Sequence, residues 1–153
     1  MQSSTTPVPN LLFDNYLKEL KSIELKVLLV VIRQTLGWAD KRGMFGRKET
    51  DWISGSQLKQ KTGGSKRAIT SASDILVRKN LIEILDEKGN ILNNPENRQG
   101  KTRLYYRLAS NIYTSVEKVV EINSTNAKYA EGISKKVTAL VQKMQITKET
   151  LQN

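Results

Sequence analysis

Hydrophobic residues recur every three or four positions from residue 22 to residue 36, and this spacing predicts a long amphipathic helix that lines the core. Ser22 is expected to cap its first amides, with Glu24 at the positive end of its dipole, and Gly37 is expected to end it. A shorter helical pattern precedes it, over Leu11–Leu20. The apolar face of the long helix comprises Leu25, Leu28, Leu29, Ile32 and Leu36, widened by Val27, Val30 and Val31.

Two further helical patterns lie on either side of Gly63-Gly64, a pair that permits a sharp reversal of the chain. The shorter pattern covers Ser56–Lys61, with Ser56 as its expected N-cap, and the longer covers Ser65–Lys79. A short helix, a glycine turn and a helix with a basic first turn are typical of a helix-turn-helix. The inward positions of the longer helix are Ile69, Ala72 and Leu76.

The segment after these helices predicts a β-hairpin. Leu81–Leu85 and Thr102–Leu108 are rich in strand-forming residues, and the polar residues 86–101 between them contain turn-forming glycine and asparagine. Asn80 tolerates the left-handed conformation in which a helix often ends, and Trp52–Ser54 is expected to form another short strand. The predicted fold class is mainly α with a small β-hairpin, namely a winged helix-turn-helix with an additional C-terminal helix.

The C-terminal part of the chain carries a separate helical pattern. Tyr129, Ile133, Val137, Leu140 and Met144 follow one another at near-heptad spacing, and a shorter helix capped by Ser115 is expected before them. The last helix could pack on its own domain, pair with a partner or be only half-ordered. We therefore expect an extended N-terminal arm at 1–10, a winged-helix domain at 11–109, and a polar linker with a helical tail at 110–153.

The charge balance points to a polyanionic partner. The chain has 25 Lys and Arg against 15 Asp and Glu, a net charge of +10, and nucleic acid is the usual partner of such a surplus. It has no cysteine and no histidine, which excludes disulfides, thiolate and imidazole catalysis and the usual zinc sites. We expect no catalytic residues, no cofactor and no metal. The longest apolar run, Val27–Ile32, is too short to span a membrane, and a cytoplasmic protein is expected.

The helix that starts after Ser65 offers the residues best suited to double-stranded DNA. Lys66 and Arg67 lie on its first turn, from which side chains of a groove-inserted helix reach base edges or phosphates. Thr70 and Ser71, one turn further, can donate or accept hydrogen bonds. Ser65 can cap the helix and leave its remaining amides free to approach a phosphate. The alternative interpretation is an ordinary two-helix corner whose polar face is only solvated.

Further candidate DNA contacts lie outside this helix. Lys88, Arg98, Lys101 and Arg103 cluster among glycines and asparagines of the hairpin loop, and such a basic loop can follow the phosphate backbone or enter a minor groove. The alternative is a solvated hairpin. Ser56 and Gln57, at the start of the supporting helix, complete the candidate set.

The sequence also resembles a known family over residues 6–108, the N-terminal winged-helix domain of phage and plasmid replication initiators of the lambda replication protein O type, together with the related DnaD-like primosomal proteins. The likeness rests on Thr6–Asn10, Tyr16-Leu17, Glu24–Leu28, Ile32–Trp38, Lys48, Asp51, Ile53-Ser54, Ser56–Leu58, Thr62-Gly63, Ser65–Arg67, Asn80–Ile82, Gly100-Lys101 and Tyr105–Leu108. Asn80 stands where a glycine is usual, Gly64 stands where a leucine is more typical, and the hairpin loop is long.

The resemblance implies a DNA-binding domain that sits on repeated sites in a replication origin, while a C-terminal region recruits the host replicative helicase or its loader. By position, Lys66, Arg67, Thr70 and Ser71 would face the major groove, and Lys101 and Arg103 would serve the wing. A recruiting region is expected to be absent or reduced to the tail.

Three hypotheses remain open. The first is sequence-specific binding of double-stranded DNA in replication initiation of a phage, plasmid or other mobile element. The second is a transcriptional regulator of such an element with the same fold. The third is a winged-helix adaptor that binds a helicase or loader through the tail helix, which could instead form a homodimer.

Overall fold

The computed structural model describes residues 5–43, 46–112 and 131–143, and it confirms the predicted fold class. The helices are α1 (Ser22–Gln34), α2 (Gly55–Thr62), α3 (Lys66–Arg78), α4 (Pro95–Arg98) and α5 (131–143), preceded by a π-helical turn at Leu12–Tyr16. The strands are β1 (Thr50–Trp52), β2 (Ile82–Leu85) and β3 (Tyr105–Leu108). The described residues up to 112 belong to one compact unit, and helix α5 belongs to another.

Helix α1 begins at Ser22, as predicted, but a different residue occupies its cap position. Lys21 holds the N-cap position and Ser22 is the first helical residue, so the predicted Ser22 cap is wrong. The Oε2 atom of Glu24 accepts a hydrogen bond from the Lys21 amide at 3.0 Å, and this carboxylate is buried. A glutamate at the third helical position thus supplies the cap that the serine does not.

The buried face of α1 agrees with the predicted one except at Leu29. Leu28 and Ile32 are buried together with the three valines, whereas Leu29 is 40% exposed, so its assignment to the core is wrong. The helix packs against α2, α3 and β3, and these partners leave Leu29 uncovered. The helix also ends at Gln34, three residues before the predicted stop at Gly37.

The helix-turn-helix consists of α2, the Gly63-Gly64 turn and α3. Gly63 has φ of 71°, in the left-handed region that glycine enters without a Cβ penalty. Gly64 lies where α1 and the turn approach closely, since a Cβ there would come within 2.5 Å of Cδ1 of Ile23. The predicted N-cap Ser56 is wrong, because Ser54 caps α2 and its Oγ accepts from the amide of Gln57 at 3.2 Å.

The three strands form one antiparallel sheet in the order β1-β3-β2. Tyr106 of β3 is opposite Ile84 of β2 and Asp51 of β1. Tyr106 is buried and Tyr105 is partly exposed, as alternation along a strand predicts. The fully buried core joins this sheet to the helices through Val27, Val31, Leu58, Leu76, Leu81, Ile84 and Leu108.

The connection between β2 and β3, residues 86–104, is here called the wing loop. Its first part turns back on β2 through a bridge between Leu85 and Ile91, and α4 follows. Asn80 adopts φ of 54°, which confirms the predicted left-handed end of α3. The expected short helix capped by Ser115 lies outside the described residues, as do Tyr129 and Met144 of the tail pattern.

Candidate nucleic-acid interface

The first turn of α3 presents two exposed cations. The Oγ atom of Ser65 accepts a hydrogen bond from the Ala68 amide at 3.2 Å, which confirms Ser65 as the N-cap. Lys66 and Arg67 follow at once, both exposed, and neither forms an ion pair with any described residue. Both side chains can therefore bind an external anion without first breaking an internal contact.

Two hydroxyl groups lie one turn further along the same face. Thr70 and Ser71 are exposed, and the Thr70 hydroxyl donates to the carbonyl oxygen of Lys66 at 3.0 Å. The proton of Thr70 is thus engaged, while its oxygen remains able to accept a hydrogen bond. The shallow groove along this face is lined by Lys66, Arg67, Thr70, Ser71, Asp74 and Arg78.

Arg78 is a cation on this face that was not among the predicted contacts. It is exposed at the C-terminal end of α3. The spacing from Arg67 through Ser71 and Asp74 to Arg78 is 4, 3 and 4 residues, which places all four on one helix face. This helical spacing is visible in the sequence, so extending the predicted exposed face of α3 by one turn would have identified Arg78.

The wing loop holds most of its cations in ion pairs. Nζ of Lys101 is 3.5 Å from a carboxylate oxygen of Asp86, and Nε of Arg103 is 3.8 Å from one of Glu87. Both cationic side chains are still partly exposed. Lys88 is exposed and forms no ion pair with an acidic residue in the described part of the chain.

Asp86 organises the turn at the start of the wing loop. Its carboxylate accepts from the side-chain amide of Asn90 at 3.0 Å and from the backbone amides of Lys88 and Asn90, each at 2.9 Å. The hydrogen bonds from Asn90, followed by those from Lys88 and Lys101, lower the pKa of Asp86 from 3.8 to about 2. Asp86 is therefore a structural anion that fixes this turn and holds Lys101 beside it.

Arg98 is predicted from the sequence to contact DNA, but it is not a free cation of the wing. Its side chain is engaged within the fold. Its side chain is only 9% exposed and forms an ion pair with Asp74 of α3. Its Nε donates to the carbonyl oxygen of Leu92 and its Nη2 to that of Asn93, both at 2.9 Å. Arg98 consequently ties the wing loop to α3, and Asp74 is neutralised rather than left to repel phosphate.

Ser56 and Gln57 are engaged at the start of α2. The Oε1 atom of Gln57 accepts from the Ser54 amide at 2.9 Å, and the hydroxyl of Ser56 lies 2.9 Å from that of Ser54. The first of these contacts completes the capping box of α2. Ser56 is exposed, whereas Gln57 is only partly so and serves the cap first.

An exposed tryptophan lies beside the wing. Trp52, at the end of β1, is 43% exposed, and the guanidinium of Arg103 lies 5.4 Å from the centre of its ring. From the sequence, Trp52 is assigned only to a strand and Arg103 only to the wing. Their contact joins positions 51 residues apart in the chain, so no local pattern could indicate it.

Two other kinds of site find no support in the part of the chain that the structure describes. No group of three or more acidic, histidine or cysteine side chains there could hold a metal ion. No helix among the described residues is long and apolar enough to cross a membrane.

The fold and this surface define a helix-turn-helix protein with a β-hairpin wing and a basic, exposed first turn on its second helix. The chain belongs to the bacteriophage replication protein O family, whose family model matches residues 4–96, more than half of the 153 residues. This membership confirms the resemblance seen in the sequence and gives the protein a role in phage replication. Comparisons with the curated proteins and with solved structures find no match.

Proposed function

We propose that the protein is a non-enzymatic, sequence-specific binder of double-stranded DNA that acts in replication initiation, in the cytoplasm of the host. The observation that carries this proposal is that Lys66 and Arg67, on the first turn of α3, are exposed and have no ion-pair partner among the residues that the structure describes. A helix of 13 residues is about 20 Å long, which suits insertion of its first turns into a major groove. Thr70 and Ser71 would then contact the same groove.

The wing loop would contact the phosphate backbone beside that groove. Lys88 is available for such a contact. The ion pairs of Lys101 and Arg103 are long, at 3.5 and 3.8 Å, so each of these cations can exchange its carboxylate partner for a phosphate. Such contacts add affinity and fix orientation but carry no sequence information. Base readout in this proposal therefore rests on α3.

The direct test is unbiased selection of duplex sequences bound by the full chain, followed by mapping of the selected motif on the phage genome. Enrichment of a motif that recurs in a replication origin would support the proposal. A motif confined to promoters would favour a transcriptional regulator, and recovery of no motif would overturn sequence-specific binding.

Arg67 can be tested separately. Arg67→Ala should weaken binding to the selected site by about 5- to 150-fold if the guanidinium reads a base, which corresponds to roughly 1–3 kcal/mol. Lys18→Ala is the charge-matched control, because Lys18 is exposed and adjoins Glu19, which pairs with Lys79 just beyond the far end of α3. Unchanged affinity and site preference of Arg67→Ala in a gel-shift titration would remove Arg67 from this role.

Helix α5 is the candidate for contact with a protein partner. Ile133, Val137, Leu140 and Val141 are each about half or more exposed along this helix. We propose that it pairs with a second copy of the chain, and the alternative occupant is a replicative helicase or its loader. Deleting residues 126–153 should reduce the mass measured by sedimentation from dimer to monomer, and an unchanged mass would exclude dimerisation through this helix.

A further inference from the structure

A cleft of about 530 Å³ opens between the first turns of α3, the start of α2, the sheet and the second half of the wing loop. Its floor is apolar and is formed by Leu58, Ile69, Ile84, Leu104 and Tyr106. Its volume lies in the range of small-molecule sites, roughly 300–1,000 Å³. The duplex interface proposed above shares Lys66, Thr70 and Lys101 with the rim of this cleft, but it leaves the apolar floor and Trp52 without a role.

Cations and hydroxyl groups surround this apolar floor. Lys66 and Lys101 line the cleft from α3 and from the wing loop, and Ser54, Thr70 and Thr102 add hydroxyl groups. Arg98 also lines it, but its guanidinium is engaged by Asp74 and by two carbonyl oxygens. The charge presented to a ligand is therefore positive, while apolar surface lies below it.

The aromatic ring of Trp52 forms part of the same cleft. Arg103 lies 5.4 Å from its ring centre but is not among the described residues that line the cleft, so the ring contacts the cation and the cavity at the same time. An exposed indole next to a cation is a suitable surface for stacking a flat, neutral ring whose substituent is anionic. Nucleobases attached to a phosphate backbone have this chemistry.

We propose that this cleft binds an unpaired nucleotide of single-stranded DNA, with its base against Trp52 and its phosphates at Lys66 and Lys101. A base within a duplex cannot use the site, because its two faces are covered by its neighbours in the stack. The cleft thus provides a second binding activity, beyond recognition of the duplex by α3. It would act where strands have separated.

The first test compares binding of labelled oligo-dT of about 12 nucleotides by the full chain and two variants, using fluorescence anisotropy at low salt. Trp52→Ala should lower the affinity for oligo-dT roughly tenfold, since stacking on an aromatic side chain contributes this much per base. Trp38→Ala is the matched control. Trp38 is 37% exposed and its ring centre lies 5.6 Å from the guanidinium of Arg33, but it does not line the cleft.

The second test leaves Trp52 in place. The chain has two tryptophans, so Trp38→Phe makes Trp52 the single indole emitter. Adding oligo-dT should quench this emission, because a stacked base contacts the ring directly. Dextran sulfate, a polyanion without bases, should bind the basic surface and leave the emission nearly unchanged.

Two outcomes would overturn the proposal, namely equal affinity of the parent protein and Trp52→Ala for oligo-dT, or no quenching in the Trp38→Phe protein. The duplex selected in the earlier experiment is titrated against the same proteins. Trp52→Ala should retain its affinity for that duplex within about threefold, because Trp52 lies off the exposed face of α3. Failure of the single-strand site is thereby separated from failure of duplex recognition.

Discussion

The first turn of α3 and the wing loop both carry basic residues but hold these cations differently. On α3, Lys66 and Arg67 are exposed and form no ion pair within the described chain. In the wing loop, Arg98, Lys101 and Arg103 each face a carboxylate, from Asp74, Asp86 and Glu87 respectively. Basic residues therefore give one surface that is ready for an anion and another in which most cations already face a carboxylate within the described chain.

This contrast shows why a count of basic residues is a poor map of a nucleic-acid interface. An unpaired cation gains a phosphate contact outright, whereas a paired cation must first give up its carboxylate. Exposed pairs are weak, so Lys101 and Arg103 can exchange partners at modest cost. The buried pair of Arg98 cannot, and its cation serves the fold.

The largest effect is expected for Arg98→Ala. The substitution removes the partner of Asp74 and leaves the carbonyl oxygens of Leu92 and Asn93 without their donor. Breaking a largely buried pair in this way should lower the free energy of unfolding by about 3 kcal/mol, measured by urea denaturation. Arg78→Ala is the control, because Arg78 is exposed and unpaired among the described residues, and it should cost less than about 0.5 kcal/mol. Equal losses in the two variants would contradict the structural role of Arg98.

The next largest effect is expected on the salt dependence of duplex binding. The double variant Lys66→Ala/Arg67→Ala should lower the slope of log affinity against log salt by about 2, one for each phosphate that the protein no longer neutralises, if both cations bind phosphate. The double variant Lys101→Ala/Arg103→Ala removes the same charge but should lower the slope by less than about 1, because its cations begin in ion pairs. The measurement is a salt series with one duplex. Equal slopes for the two double variants would show that the internal pairs do not matter.

The parts of this contrast that the sequence could predict are the local ones. The glycine pair, the Ser65 cap and the spacing of Ile69, Ala72 and Leu76 all act within a few residues, so α3 and the exposure of its first turn follow from them. The partner of Arg98 is 24 residues away in the chain, and only the folded loop brings the two side chains together.

Two other differences between prediction and structure have different origins. Ser54 and Ser56 are equally good caps by residue type, but only Ser54 is followed three residues later by a glutamine, Gln57, which completes a capping box, so this local signal was present in the sequence. Leu29 and Val30 are adjacent apolar residues of α1, and tertiary packing buries only the second. Periodicity predicts that a helix has an apolar face, but the neighbouring elements determine where a broad face is covered.

A smaller effect is expected at the cap of α3. Ser65→Ala removes the acceptor of the Ala68 amide and should lower the free energy of unfolding by about 1 kcal/mol. Ser65→Asp should restore stability, because aspartate also caps and its charge suits the helix dipole. The same aspartate should weaken duplex binding, since it places a negative charge beside Lys66 and Arg67. Urea denaturation and duplex titration of both variants measure the two effects, and full duplex affinity in Ser65→Asp would contradict a DNA contact at this turn.

The smallest effect is expected at Asp86, which holds the wing turn and shields Lys101. The hydrogen bonds of Asn90 keep its folded pKa near 2, below its ordinary value of 3.8, so the charged form stabilises the folded state. That contribution is present in full above about pH 4 and is lost as the pH falls towards 2. The difference in unfolding free energy between the parent protein and Asp86→Asn should therefore be constant from about pH 5 to 7 and shrink below about pH 4.

At neutral pH, Asp86→Asn also releases Lys101, so duplex affinity should rise by up to about threefold. Asp14→Asn removes one exposed carboxylate far from the wing in sequence, and a rise of the same size there would assign the gain to net charge alone.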